Sequence, residues 1–547
     1  MLESSVVSTT NRVLPRARHG SYASGGRRQA AVLMVPVMLL AATLFASRTI
    51  PSGRLEIVVA IATLFLGALI LRAPALLVWC VVAVGTGCLI ADHVSGLSSE
   101  GYGAAFAAAL LGLGPIIMGG LRHRQDYPAG QVFGLVAVAY IVIGALAAAP
   151  TSVLGGFLTQ EERGRGLVLM ALFLGAVDLG IGIGHLTPTF RWKSKVSTDW
   201  VTLWKRALVA IALTYILSAL IDLTGRTANL GAIPQLISDA RLAFFLVLWV
   251  GALRREVPRT LTLASMVAAL LTAVAGFGTG SLYSGLELLV GGLCIYVAER
   301  RRIPWMTVLL AVVVALSLNA GKAVFRSEYG GLDQLKQHNH LIEGQHFLAE
   351  YLQGLRGMTR SSLEESAARF SYAGGDLMGY VSQIVPSTYP HWDMRTYRYL
   401  PYALVPRVLV PSKPVATFGN QFGRAFGLLA PADLGTSANL PVSVEGYVNF
   451  GLPGLLTGGL VLGALLGIVA STFAGRDLRS MIAGTLFTVC LIGGVESDST
   501  LTLGLVPGLV LVVALVAWVL RGRSNDGLTV RSSTWQDESL SAGSEGQ

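Results

Sequence analysis

Apolar runs of about 17 to 24 residues recur along this chain, separated by short polar loops, and the pattern breaks only once. The runs lie at 30–47, 54–71, 75–92, 104–120, 131–149, 166–185, 206–223, 236–253, 260–276, 281–298, 303–320, 450–473, 480–496 and 500–520, fourteen in all. Each is close to the ~20 residues that a helix needs to cross about 30 Å of hydrocarbon. Lipid offers no partner to backbone N–H and C=O groups, so such runs must be helical. The run at 236–253 carries Asp239 and Arg241 near its start. The pattern therefore predicts an all-α polytopic membrane protein. It divides into a tail at 1–29, eleven spans in 30–320, a polar insert at 321–449, three spans in 450–520 and a disordered tail at 521–547. No period of 20–50 residues repeats, which argues against a solenoid.

The insert has its own pattern. Leu341, Leu348, Tyr351, Leu352 and Leu355 recur at helical spacing and predict an amphipathic helix over about 333–356. Ser361 and Ser362 precede Glu364 and Glu365 by three, a capping-box spacing, so a second helix is expected from there to about Val385. Pro386, Pro390, Pro401, Pro406, Pro411 and Pro414 then exclude long helices. That segment reads as an ordered, largely extended path over the outer membrane surface.

Composition supports the membrane reading: the chain is 53% hydrophobic and 13% charged, where soluble proteins average about 25% charged. The net charge of +10 is not a nucleic-acid footprint, because its distribution follows the loops. Of 41 Lys and Arg, we count 24 in the two tails and alternate short loops with their edges, six in the opposite short loops and eleven in the insert. Basic short loops stay inside, whereas long loops translocate regardless of charge. Both termini are therefore expected in the cytoplasm and the insert outside. The basic, Ser-rich first 29 residues read as a cytoplasmic tail before an uncleaved span rather than as a signal peptide. All four cysteines (Cys80, Cys88, Cys294, Cys490) lie in predicted spans, so no disulfide framework supports the insert. No Walker loop, GxSxG, HExxH or EF-hand loop is present.

Candidate chemistry concentrates in the insert. Arg369, Arg395, Arg398, Arg407, Lys413 and Arg424 fall within 56 residues. An Arg fork grips phosphate oxygens in pairs and Lys acts as a point charge, so this series suits a lipid-linked pyrophosphate; head-group contact is the plainer role. Prolines flank Arg407 and Lys413 and fix their backbone. Nine of the sixteen tyrosines lie here, and Tyr389, Trp392, Tyr397, Tyr399 and Tyr402 fall within fourteen residues. Such rings stack on sugar faces or form an interfacial aromatic belt. Glu445 precedes the predicted span by five residues. It is a candidate general base, an ion-pair partner of a basic residue such as Arg424, or a helix cap. His391 is the second candidate base. His338, His340 and His346 have no carboxylate at a metal-binding spacing, so no metal or cofactor is expected. Within the spans, Asp178 is the deepest ionisable residue and the one to test for ion or proton coupling.

The arrangement resembles the oligosaccharide repeat-unit polymerases of bacterial surface polysaccharides, the O-antigen and exopolysaccharide polymerase family. The likeness rests on many spans, a large outer loop late in the chain, and a pattern over about 400–467. There a proline–arginine pair and a lysine–proline pair precede a glutamate–aromatic–x–asparagine–Phe-Gly-x-x-Gly return into a Gly-rich helix. Here these read Pro406-Arg407, Lys413-Pro414, then Glu445 to Phe450, Gly451 and Gly454, with Gly446 between Glu445 and Tyr447, before Gly458, Gly459, Gly463 and Gly467. The resemblance implies a GT-C-class helical bundle in the cytoplasmic membrane, performing inverting, metal-independent glycosyl transfer at its outer face. The donor would be a polyprenyl-diphosphate-linked chain and the acceptor the terminal sugar of an incoming lipid-linked unit. The basic residues would hold the diphosphate, and Glu445 or His391 would activate the acceptor hydroxyl. Tyr389, Trp392, Tyr397, Tyr447 and Asn449 would line the substrate site. A flippase and a chain-length regulator of the same pathway would be partners. A ligase moving a lipid-linked glycan to another acceptor shares this architecture. A 14-span flippase or transporter shares the composition without needing so large an insert.

Overall fold

A computed structural model of the chain describes residues 126–146, 158–187, 199–223, 233–278, 282–304, 370–405, 418–434, 436–475 and 477–521, with a few isolated positions besides. The described residues are mostly helical, with no strand among them. Six long helices come first among these: α1 (Ala129–Leu146), α2 (Gln160–Leu186), α3 (Trp200–Leu223), α4 (Ile233–Arg254), α5 (Arg259–Gly278) and α6 (Leu282–Arg300). The insert contributes a π-helical turn (Tyr372–Asp376) and the short helices α7 (Leu377–Ile384), α8 (Leu400–Leu404) and α9 (Phe418–Ala425). The chain then returns through α10 (Val442–Thr472), α11 (Leu478–Ile492), α12 (Ser499–Gly504) and α13 (Val506–Val519). Nine of the expected apolar runs fall on described residues, and each is helical. By length and composition, six helices among the described residues are apolar enough to cross a membrane. The expected helix at 333–356, the start of the one at 361, the spans before residue 126 and most of the span at 303–320 lie outside the described residues.

Local chemistry fixes several helix starts. Thr159 and Glu162 form a reciprocal capping box at the head of α2: the Glu162 N–H donates to Thr159 Oγ1 at 3.3 Å, and the Thr159 N–H donates to Glu162 Oε2 at 2.6 Å. Asp477 caps α11 by accepting from the Ser480 N–H at 3.0 Å. α4, the helix with Asp239 and Arg241, runs through the core, and Phe244, Phe245, Leu246, Val247 and Leu248 are buried. Asp239 and Arg241 both find partners within the bundle. Gln235 Nε2 donates to Asp239 Oδ1 at 2.9 Å. The Arg241 guanidinium lies 4.3 Å from the Tyr215 ring centre and donates to Ser218 Oγ at 2.5 Å.

The tightest helix pair is α2 with α10. A Cβ on Gly459, Gly463 or Gly467 would stand 2.7, 2.0 or 2.3 Å from the carbonyl oxygens of Phe173, Val177 and Ile181. Gly180 and Gly184 meet the carbonyls of Leu460 and Ala464 in the same way, each at 2.3 Å. Small residues four apart on both helices let the backbones touch, which is how helices associate when lipid supplies no hydrophobic drive.

Polar contacts divide between the two ends of the bundle. At one end Arg254 pairs with Glu299 at 2.9 Å, His185 stands 3.6 Å from Asp126, Arg300 donates to Leu253 O and Arg206 to Arg521 O. These are the basic short loops that the sequence groups together. The insert packs at the other end. Its π-helical turn wedges between α1 and α2, and Arg163 of α2 faces Asp376 at 3.9 Å, both buried.

Two features differ from expectation. Residues 385–405 form turns and short helices rather than an extended path, because each proline stops a helix without preventing a new turn. The return into the bundle begins at Val442 rather than 450, and it doubles back. At Gly451 the backbone takes φ 64° and ψ −145°, which breaks the helix. A Cβ on Gly446 would stand 2.5 Å from Gly454 O, and one on Gly458 would stand 3.5 Å from Val442 O. Contacts between residues eight and sixteen apart are impossible along one straight helix. α10 is thus a hairpin: a short arm, 442–450, lies antiparallel against the head of the long arm. Gly446 sits where the two arms touch.

Candidate functional site

The short arm carries Glu445 and Asn449 on one face, one turn apart, and both are fully buried. Glu445 Oε2 accepts two hydrogen bonds from Ser499, one from its N–H at 2.7 Å and one from its Oγ–H at 2.6 Å. Ser499 is the first residue of α12, so the carboxylate rests on the positive end of another helix. Asp498 caps that helix from its own side, accepting from the N–H groups of Thr500 at 2.9 Å and Leu501 at 3.0 Å. Glu445 Oε1 is buried and accepts no hydrogen bond from a described residue. The Thr396 hydroxyl stands beside the carboxylate.

Asn449 ties the arm to the insert. Its Nδ2 donates to Thr396 Oγ1 at 2.9 Å and to Glu445 O at 2.8 Å. Because Glu445 O can only accept, the amide must present nitrogen there, which fixes its orientation. Asn449 Oδ1 then points elsewhere, buried and without a hydrogen bond.

A tight turn at 391–394 covers the break. Pro453 has no N–H to give Asn449 O, and the donor for Val448 O lies beyond Gly451. The turn supplies both: Trp392 N–H donates to Val448 O at 3.0 Å and Asp393 N–H to Asn449 O at 3.3 Å. His391 Nδ1 lies 3.4 Å from Val448 O, and its ring would meet a Cβ on Gly451 at 3.2 Å. Asp393 and Met394 hold left-handed backbone at φ 41° and 66°, an unfavourable state for non-glycine residues that the surrounding contacts must impose.

The sequence-predicted residues separate into groups. Glu445, Asn449, His391 and Tyr397 come together. Tyr397 stacks on Phe450 with ring centres 6.0 Å apart. Burial, and then the Glu445 carboxylate beside it, raise the Tyr397 phenol above its ordinary range, so it stays protonated. Trp392 packs on Phe426 at 5.5 Å and carries the exposed Arg395 guanidinium at 5.0 Å. Arg398 lies over Tyr399 at 5.1 Å. Tyr389 packs on Phe426 at 5.2 Å, and Tyr447 is buried in the core. Arg424 is not the partner of Glu445: it donates to Asn420 Oδ1 at 2.9 Å on its own helix. The fold-back also buries Glu445 in the protein interior. Arg369, Arg407 and Lys413 lie outside the described residues. Sequence reasoning missed Thr396 and Ser499. Asp498 directly before an apolar run is an N-cap signature and would have marked α12.

Behind the arm, a small, mostly apolar and partly open hollow is lined by Phe133, Tyr140, Met170, Ser443 and Leu462 among others. Ser443 is two residues from Glu445 and so faces away from it. Among the described residues no three His, Cys, Asp or Glu side chains cluster as metal ligands would.

The helices and their apolar length define a polytopic helical membrane protein with a buried carboxylate–amide pair at the end of the bundle covered by its insert. No protein-family model, curated protein or solved structure matches the chain.

Proposed function

We propose that this protein polymerises polyprenyl-diphosphate-linked oligosaccharide units by inverting, metal-independent glycosyl transfer at the outer face of the cytoplasmic membrane. In this reading fourteen spans form a GT-C-like bundle with both termini in the cytoplasm. Arg407 and Lys413, with Arg395 and Arg398, hold the diphosphate as its charge develops. Glu445 takes the proton of the acceptor hydroxyl.

The observation that supports the reading best is the placement of Glu445. One oxygen is anchored by two donors from Ser499, and the other is left open beside the Thr396 hydroxyl. A base needs that combination of fixed position and open valence. The Ser499 anchor alone would equally serve helix capping, so activity must separate the two roles. The decisive cellular test is the lipid-linked glycan that accumulates when the protein is absent. A single undecorated repeat unit is the expected product. A full-length lipid-linked polymer would replace polymerisation with ligation.

A further inference from the structure

On the buried face of the short arm two acceptors are left open; the Thr396 hydroxyl stands beside the Glu445 carboxylate, and no donor among the described residues reaches Asn449 Oδ1. Glu445 Oε1 and Asn449 Oδ1 are both fully buried, and neither accepts a hydrogen bond from a described residue. Leaving a buried acceptor unmade costs about 1–3 kcal/mol. Residues four apart on a helix lie about 5–6 Å apart at Cβ, close enough for their side chains to bracket neighbouring groups of one small molecule. The Asn449 amide cannot flip to cancel its open valence, because Glu445 O requires its nitrogen.

Resting on the reading above, we propose that Asn449 is the residue that selects the acceptor sugar. The reacting hydroxyl donates to Glu445 Oε1, and a second donor on the adjacent carbon, a hydroxyl or an amide N–H, donates to Asn449 Oδ1. The site thus takes a vicinal donor pair, and a terminal sugar lacking the second donor leaves Asn449 unpaired. In the transfer step the hydroxyl O–H bond breaks toward Glu445. The new glycosidic C–O bond forms as the bond to the diphosphate breaks, and the diphosphate leaves with the electron pair. Access requires the turn at 391–396 to lift, since Thr396 holds the Asn449 side chain and the N–H groups of Trp392 and Asp393 tie the turn to the carbonyls of Val448 and Asn449.

The test uses the full-length purified protein and two probes: the lipid-linked glycan extracted from cells lacking the protein, and sugar-free polyprenyl diphosphate. Asn449→Ala should weaken glycan-lipid binding roughly tenfold, the worth of one hydrogen bond, and leave binding of the sugar-free lipid unchanged. Thr396→Val breaks the same tie to the insert but keeps Oδ1, so it should lose clearly less glycan affinity than Asn449→Ala. An equal loss in both variants, or a loss for both probes, would make Asn449 a structural tie and overturn the assignment. Unchanged glycan binding in Asn449→Ala would overturn it while leaving the polymerase reading intact. Failure of the unaltered protein to bind the glycan-lipid would overturn both.

Discussion

Glu445→Gln separates a base from a structural cap. In the native site Oε2 accepts two hydrogen bonds from Ser499, at 2.7 and 2.6 Å. A glutamine can place its amide oxygen at the same position and keep both, with the NH₂ group where Oε1 stands. Hydrogen bonds to a charged acceptor are worth about 1.5–3 kcal/mol and neutral ones about 0.5–1.5. With two such bonds, the substitution should therefore cost about 2–3 kcal/mol of stability, a shift of a few degrees in thermal midpoint for a protein of this size. Loss of the proton acceptor should cut elongation by about 10²–10⁴-fold. Glu445→Ala is the comparison, because it strands both Ser499 donors in a buried site and should destabilise by about 2–6 kcal/mol. The assay is glycan elongation and thermal unfolding of the same purified samples with the same lipid-linked substrate. Near-normal elongation by Glu445→Gln would refute the base assignment and move it to His391. A fall in elongation that tracks stability across Gln and Ala would leave Glu445 a helix cap.

Three further outcomes follow from the same account. Single cysteines at Met394 and Leu434, both exposed at 51% and 75%, should react with an impermeant reagent in intact cells; labelling only after permeabilisation would reverse the orientation. Arg407→Ala should lower polymer formation by about a hundredfold or more with the protein still abundant, and Arg407→Lys should recover part of it, since the paired fork is lost; normal polymer would reduce Arg407 to a head-group contact. Gly463→Leu should prevent stable folding, because a Cβ there would stand 2.0 Å from Val177 O, whereas Gly458→Ala, with its nearest neighbour at 3.5 Å, should be tolerated in thermal unfolding.

The nine apolar runs on described residues were legible as helices because hydrocarbon imposes one rule on every helix that crosses it, and even Asp239 and Arg241 did not hide α4. The hairpin of α10 was not. Residues 442–450 mix Val, Tyr and Phe with Ser, Glu and Asn, and so read as polar insert rather than buried arm. Only the backbone at Gly451 reveals the reversal, and a glycine followed by Gly454 and Gly458 looks like helix packing. Glu445, Asn449, His391 and Tyr397 were legible as candidates. Their partners Thr396 and Ser499 were not, since single hydroxyls 53 and 54 residues away carry no local pattern. The ion pair with Arg424, one of the alternatives for Glu445, is not formed: the carboxylate is held by Ser499, and Arg424 donates to Asn420 on its own helix.

The most direct test of polymerisation is elongation by the purified protein alone. It would be supplied with the lipid-linked unit from cells lacking the protein, with a metal chelator present and no nucleotide sugar. The account predicts a ladder of lipid-linked products spaced by one repeat unit, abolished in Glu445→Gln. Unchanged substrate, or movement of the glycan off its lipid carrier to a different acceptor without a ladder, would contradict it.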